Sequence, residues 1–229
     1  MRKIIALIIS VFFIASAFSQ NLAHIIIDNR GNADVITFSV DNNVFVNLTK
    51  DGNLIDWGIQ DNTPGFKTFP PKLGKYMGRE EYYSPTENAA YAGKVKYIGS
   101  TLVTYYTSDD NEALKGKVKT LGFRYFDYYT SYDDAAFKGN IKTAGSVAFT
   151  YYASFEDENY KGKIKTAGST MLTYYGSVDD KAFKGKIKSI DHNSFTYYSS
   201  YERKEYSGMP KSGVQMAFAG GVQFLIKNY

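Results

Sequence analysis

The sequence predicts an all-β protein: a meander of stacked β-hairpin repeats that forms an elongated, twisted or rolled antiparallel sheet with short β caps. Glycines recur every 23 residues, at Gly93, Gly116, Gly139, Gly162, Gly185 and Gly208. Tyrosine pairs keep the same period and begin at Tyr82, Tyr105, Tyr128, Tyr151, Tyr174 and Tyr197. The composition agrees, because the 21 tyrosines and 16 phenylalanines favour pleated, half-buried surfaces. Two markers that recur six times without an insertion define six repeats.

One unit, residues 160–182, illustrates the expected hairpin. Tyr160 and Ile164 alternate with Lys163 and Lys165, which is the period-two pattern of a strand. Gly168 supplies the positive φ that a tight reversal needs. The second strand follows over residues 170–176, and an acidic turn leads to the next unit. We therefore expect strands of about seven residues, two in each repeat.

Stacked hairpins would give the sheet one apolar face and one cationic face. The apolar face is expected to carry three columns: Leu114, Phe137, Tyr160 and Phe183; Val95, Val118, Ile141, Ile164 and Ile187; and Phe126, Phe149, Leu172 and Phe195. The cationic face is expected to carry two files: Lys96, Lys119, Lys142, Lys165 and Lys188; and Lys94, Lys117, Lys163 and Lys186. About a dozen strands exceed what an open sheet usually holds without curling or splitting. The sheet is thus expected to be rolled, or to be covered by the N-terminal segment or another chain.

The chain divides into four segments. Residues 1–19 predict a cleaved signal peptide, because Met1-Arg2-Lys3 precedes a short apolar run and Ala17 and Ser19 form a small-residue cleavage site. Residues 20–75 predict an N-terminal β cap that ends in a break from Thr63 to Pro71. The six repeats occupy 76–212, and residues 213–229 predict a closing hairpin. Pro210 replaces the strand Val or Ile, as an edge strand tolerates.

Charge and cysteine content narrow the classes of partner. Cleavage would remove Arg2 and Lys3 and leave 25 basic against 23 acidic side chains, a net charge of +2. So small a charge exerts little pull on nucleic acid, and we expect no nucleic-acid partner. The chain has no cysteine, so it holds no disulfide. No transmembrane segment is expected once the signal peptide is cleaved.

The unit resembles the MORN repeat, which is also a 23-residue hairpin. The resemblance is carried by Tyr160 and Gly162, by Ile164 two residues further on, and by the late Thr-Tyr-Tyr at 173–175. It covers residues 76–212 and departs at 171–172, where that family usually has a second pair of glycines. The array is also similar to exported repeat proteins of Gram-negative bacteria that are rich in Lys-Gly-Lys-Ile-Lys and Tyr-Tyr repeats. The resemblance implies a hairpin array and transfers no functional residue.

The cationic face is the candidate functional surface. Its expected ligand-facing residues are Tyr106, Tyr129, Tyr152, Tyr175 and Tyr198, with Lys96, Lys119, Lys142, Lys165 and Lys188. Regularly spaced tyrosines suit an extended, repetitive ligand such as an envelope glycan, and lysines would meet its acidic groups. The alternative is a solvated sheet face that lysine keeps soluble.

Enzymatic chemistry is not expected. The two histidines are His24, in a predicted strand, and His192, in the hairpin turn that Gly99, Gly122, Gly145 and Gly168 mark in other units. The acid pairs that begin at Asp109, Asp133 and Asp179 recur with the repeat, which indicates turn chemistry rather than a metal site. No phosphate loop or nucleophile elbow is present, and no cofactor or metal is expected.

These observations predict an exported, non-enzymatic binding or structural module of the cell envelope, located in the periplasm, on the cell surface or outside the cell. The sequence does not identify the partner, and the candidates are an envelope glycan and another envelope protein. Two alternatives stay open. One is a protein-protein assembly module that dimerises through the apolar face, and the other is an outer-membrane barrel component, which would need longer strands with an apolar lipid face.

Overall fold

The fold is all-β, as the repeat pattern predicts, and its strands form two main sheets and one short pair. The structure, a computed structural model, describes residues 22–41, 43–60 and 69–227. The expected signal peptide at 1–19 and the first part of the expected break, Thr63 to Gly65, lie outside the described residues. Across these residues, no helix has both the length and the apolar character that crossing a membrane requires.

The repeats form an eleven-stranded antiparallel meander in which every strand pairs with its neighbours in sequence. The first strands of the hairpins are β7 (Val95–Ile98), β9 (Val118–Leu121), β11 (Ile141–Ala144), β13 (Ile164–Ala167) and β15 (Ile187–Ile190). The second strands are β6 (Glu80–Tyr82), β8 (Thr101–Tyr105), β10 (Arg124–Tyr128), β12 (Val147–Tyr151), β14 (Thr170–Tyr174) and β16 (Asn193–Ser194). The array continues as a separate pair, β17 (Thr196–Tyr197) with β18 (Pro210–Ser212).

The strands of the repeats have two to five residues, fewer than the seven expected. Tyr160 and Gly162 lie in the turn before β13, because Gly162 has a φ of +72° and bends the chain there. The loops of the first two repeats also contain single 3-10 turns at Ala89–Tyr91 and Glu112–Leu114.

A β-bulge at each junction between repeats replaces the strict alternation that the sequence predicts. Leu172 lies opposite Ile190 and Thr173 opposite Ser189, but Tyr174 lies opposite Ile187. Lys188 is therefore the extra residue, and a bulge of this kind turns two successive side chains outward. Ile187 and Ile190 consequently both face the core, three residues apart.

The glycines of the hairpin turns have the positive φ that the sequence predicts. Gly99, Gly122, Gly145 and Gly168 have φ values of 60° to 62°. In the next unit Asp191, not His192, takes the glycine position, with a φ of 46°. Aspartate tolerates this conformation better than most residues, and the Asp191 carboxylate also accepts the N–H of Met171, in the preceding hairpin, at 2.8 Å.

The two terminal segments build one seven-stranded sheet instead of two separate caps. Its members are β1 (Leu22–Ile27), β2 (Ala33–Asp41), β3 (Val44–Leu48), β4 (Leu54–Gln60), β5 (Leu73–Lys75), β19 (Met216–Ala219) and β20 (Val222–Ile226). The strand order is β19-β20-β1-β2-β3-β4-β5. The hairpin expected at the C-terminus forms, and β20 then pairs with β1 in parallel.

This terminal sheet covers the apolar face of the repeat sheet. The rings of Phe38 and Phe126 meet edge to face with centroids 5.2 Å apart. The Val118 N–H donates to the Gly52 carbonyl at 3.0 Å, so a turn of the terminal sheet is hydrogen-bonded to the array. The columns headed by Val95 and Phe126 are buried in the shared core. The side chains of these two columns are therefore not exposed on the surface of the chain.

Candidate functional site

The second tyrosines of the pairs hold successive repeats together instead of projecting as a flat platform. Each hydroxyl donates to the backbone carbonyl 20 residues later: Tyr106 to Phe126 at 2.8 Å, Tyr129 to Phe149 at 3.0 Å, Tyr152 to Leu172 at 2.9 Å and Tyr175 to Phe195 at 2.8 Å. Tyr106 and Tyr152 are buried, and Tyr129, Tyr175 and Tyr198 are half-buried. Four of the five tyrosines expected to face a ligand thus have their hydroxyls engaged within the fold.

The first tyrosines complete an aromatic column inside the array. Their hydroxyls donate to the carbonyl ten residues earlier, as Tyr151 does to Ile141 at 2.9 Å and Tyr174 to Ile164 at 2.9 Å. The rings of Tyr152 and Tyr174 meet edge to face at 5.8 Å. Burial raises the pKa of Tyr152 to about 12, so its hydroxyl keeps the proton that it donates.

The five candidate lysines lie over the second tyrosines of the pairs. Each ammonium stands 4.9 to 5.6 Å from a ring centroid, over Tyr83, Tyr106, Tyr129, Tyr152 and Tyr175 in order along the chain. Three of them also pair with a loop acid nine residues earlier: Lys96 with Glu87, Lys119 with Asp110 at 2.7 Å and Lys165 with Glu156 at 3.2 Å. These contacts use much of the charge that was expected to attract an acidic ligand.

The second lysine file also serves the fold. Each of its lysines donates to the carbonyl of a glycine 22 residues later: Lys94 to Gly116, Lys117 to Gly139, Lys163 to Gly185 and Lys186 to Gly208. Burial lowers the pKa of Lys163 to about 8. Both lysine files therefore link neighbouring repeats.

The loop acids organise the turns, in agreement with the turn chemistry that the sequence indicates. The first acid of a loop accepts the backbone N–H three residues earlier, as Glu156 does from Ala153 at 2.6 Å. The next acid, Asp157, accepts the N–H and the hydroxyl of Ser177 in the following repeat. Hydrogen bonds from Ser177 and Asn159 hold the pKa of the Asp157 carboxyl well below its usual range. Within residues 22–41, 43–60 and 69–227, no three His, Cys, Asp or Glu side chains lie close enough to hold a metal ion.

The two histidines have different surroundings. His24 is buried in β1, and this burial lowers its pKa to about 4. His192 is exposed in the hairpin turn after Asp191.

A row of exposed apolar side chains occupies one position of the loops and was missed by the sequence reasoning. Tyr132, Phe155, Val178 and Tyr201 are 97%, 88%, 98% and 95% exposed. They lie 23 residues apart, whereas the same position holds Thr86 and Asp109 in the first two repeats. The signal was the repeat register itself, since it aligns these four residues within segments that are otherwise polar. We call these four residues the tip row.

The loops hold the tip row in a defined conformation. On either side of Phe155, Ala153 and Glu156 are joined by a hydrogen bond, and Ser154 donates to Asp134 of the preceding repeat at 2.8 Å. The same bonds recur around Val178 through Gly176 and Asp179. Because each repeat contributes two strands about 4.8 Å apart, neighbouring tips are spaced by about 9.6 Å.

Comparisons with known proteins return no match: no family model, no curated protein and no solved structure is similar to this chain at a significant level.

Many polar groups of the repeats make their contacts within the array. Loop carboxylates such as Glu156 and Asp157 are hydrogen-bonded into turns, and Asp110 is paired with Lys119. The hydroxyls of paired tyrosines such as Tyr152 donate to backbone carbonyls. The tip row, in contrast, leaves apolar side chains facing solvent in several successive repeats.

Proposed function

We propose that this protein is an exported, non-enzymatic binding module of the cell envelope that holds an extended, repetitive polymer, such as an envelope glycan, along its tip row. The single observation that carries the proposal is the exposure of Tyr132, Phe155, Val178 and Tyr201 in register. The expected signal peptide supports export.

Exposure of these side chains has no evident benefit for folding. An apolar residue gains free energy only when its surface leaves water, and scattered exposed examples are normal in any protein. Four at one repeat position, each almost fully exposed, form a pattern that scattered residues do not. Apolar surface that is kept exposed in this way marks a binding site in many soluble proteins.

The spacing of the tip row favours a long ligand. Four tips about 9.6 Å apart would extend over about 29 Å, which is longer than most small molecules. The interval is close to the length of a disaccharide unit in an extended polysaccharide, and the rings of Tyr132, Phe155 and Tyr201 can pack against sugar faces. Weak contacts in several repeats would add up through multivalency.

This proposal moves the contact surface away from the tyrosines and lysines of the sheet face. Tyr106, Tyr152 and their equivalents are engaged in the array, so their removal would damage the fold before it affected a ligand. Exposed lysines such as Lys142 and Lys188 remain free to add charge contacts with an acidic polymer while they lie on tyrosine rings.

Co-sedimentation with insoluble cell wall and with purified polysaccharides tests the proposal. The mature chain should be retained, and a variant with Tyr132→Ser, Phe155→Ser, Val178→Ser and Tyr201→Ser should lose at least tenfold in retention. A matched control, Phe123→Ser with Met171→Ser, removes exposed apolar side chains outside the tip row and should bind normally. Equal retention of the tip-row variant would reject the tip row as the site. If the native chain is not retained, the proposal that the protein binds these polymers is wrong.

A further inference from the structure

At each end of the repeat array the last strand has a partner on one edge only. The last strand is the second strand of a hairpin at one end and the first strand of a hairpin at the other. At one end β6 is a second strand, and β7 is its one neighbour within the described residues. At the other end β18 is a first strand, and β17 is its one neighbour there. Among the described residues no strand of the terminal sheet pairs with the outer edge of either strand, although Trp57 of β4 contacts the side chains of Glu80 and Tyr82 in β6.

Each end lacks the strand that the other end supplies. In a complete repeat a first strand turns through two residues into a second strand, as β13 does into β14. After β18 the chain leaves the array, and β19 joins the terminal sheet instead. Before β6 the chain comes from β5, which also belongs to the terminal sheet. The missing partner of β18 is thus a strand like β6.

Both ends also expose apolar side chains. Met77 and Tyr82 are 81% and 52% exposed beside β6. Near β18 and β19, Met209, Val214 and Phe218 are exposed as well. Unpaired edges flanked by apolar surface are what natural β proteins normally protect, because such edges add further strands.

We propose that copies of this protein associate head to tail, with β18 of one copy paired in antiparallel fashion to β6 of the next. The contact would continue the pairing that already joins the two strands of each hairpin, and heterologous contacts of this type generate chains of copies. It does not depend on the tip row or on any polymer.

The repeat register specifies the pairing. Thr120 lies opposite Tyr125 in the second hairpin, and Tyr97 opposite Leu102 in the first. The corresponding positions at the ends are Ser212 and Arg79, so Ser212 of one copy should lie opposite Arg79 of the next.

Tyr198 supports the same register. The equivalent tyrosines donate to a carbonyl 20 residues later, as Tyr175 does to Phe195. Among the described residues the Tyr198 hydroxyl has no such carbonyl, although its ring lies against Tyr206. In a continued array its acceptor would be the carbonyl of Glu80 in the next copy, because Glu80 precedes Val103 by one repeat.

Cysteine cross-linking tests the contact cleanly, since the native chain has no cysteine. Mature Arg79→Cys and Ser212→Cys chains are mixed and mildly oxidised, and a mixed disulfide dimer is expected in at least tenfold excess over either homodimer. The double variant should form a ladder of oligomers. Lys115→Cys, an exposed site within the array, replaces Arg79→Cys as the control and should give background cross-linking. Homodimers in equal yield, or no dimer from the mixture, would overturn the proposal.

Sedimentation of Tyr198→Phe adds a second measurement. This change should weaken self-association severalfold and leave the unfolding midpoint of the monomer unchanged, because no bond within the chain is lost. Tyr175→Phe, the matched control, should instead lower the midpoint, since it removes the bond to Phe195. Unchanged association of a folded Tyr198→Phe chain would contradict the register, and a monomeric native chain at all concentrations would contradict association itself.

Discussion

Lys50 of the terminal sheet donates its ammonium to the Gly162 carbonyl of the repeat array at 3.4 Å. In four other repeats a lysine 22 residues before the glycine makes the equivalent bond, as Lys163 does to Gly185. The residue 22 before Gly162 is Asn140, which is shorter, and its buried amide nitrogen has no partner among the described residues. A lysine from the other sheet therefore takes over where the repeat departs from its pattern.

We predict that Lys50→Met destabilises the protein and that Asn140→Lys restores the loss. The first change leaves the Gly162 carbonyl without its donor and should cost about 1 kcal/mol. Lysine at 140 can reach that carbonyl as its equivalents do. Urea unfolding of both single variants and the double variant measures the coupling, with exposed Lys138→Met as the control. Additive effects in the double variant would show that the two positions do not share one acceptor.

We predict that Tyr152 acts in folding. Tyr152→Phe removes the bond to the Leu172 carbonyl and should cost about 1 kcal/mol. Tyr152→Ser also removes a buried ring and should cost about 3 kcal/mol or more, as large-to-small changes in a core do. Chemical denaturation followed by circular dichroism measures both. A stable Tyr152→Ser chain would return this tyrosine to the list of ligand-facing residues.

His24 should make stability depend on pH in the mildly acidic range. Burial lowers the pKa of His24 from 6.5 to about 4, so the folded state favours the neutral ring. The stability that comes from neutral His24 is fully present above pH 6.5 and is lost as the pH falls toward 4. The reason is that His24 binds a proton at a higher pH in the unfolded chain than in the folded chain. The slope should reach at most about 1.4 kcal/mol per pH unit. Unfolding at several pH values should show this slope in the native chain and lose it in His24→Gln, whereas exposed His192→Gln should retain it.

The loop aspartates should make stability depend on pH in a second, more acidic range. Hydrogen bonds from Ser177 keep the pKa of Asp157 below its ordinary value of 3.8. The backbone N–H of Ala136 and the bonds from Ser154 lower the pKa of Asp134, and the backbone N–H of Ala182 and the bonds from Ser200 lower that of Asp180. Their contribution is present above about pH 4 and is lost as the pH falls below it. Changing all three aspartates to Asn should make the midpoint of thermal unfolding depend less on pH between pH 4 and pH 2. A change at Asp109, which is exposed and lacks these serine bonds, should leave the profile as it was.

The sequence by itself determined the hairpin array, because glycine turns and alternating side chains are local properties of each 23-residue unit. It also predicted the buried columns of Ile164 and Leu172 and the edge position of Pro210, all of which the structure contains. The bulge at Lys188 was not predicted, since an extra residue in one strand is defined only by the register of its partner.

Tertiary structure alone decided how the apolar face is covered and which surface remains exposed. The parallel pairing of β1 with β20 joins residues about 200 positions apart, and no local pattern specifies such a contact. Because that pairing closes the terminal sheet over the array, the columns are buried within the chain. The bonds between repeats likewise occupy the tyrosines, and Tyr132, Phe155, Val178 and Tyr201 are left facing solvent.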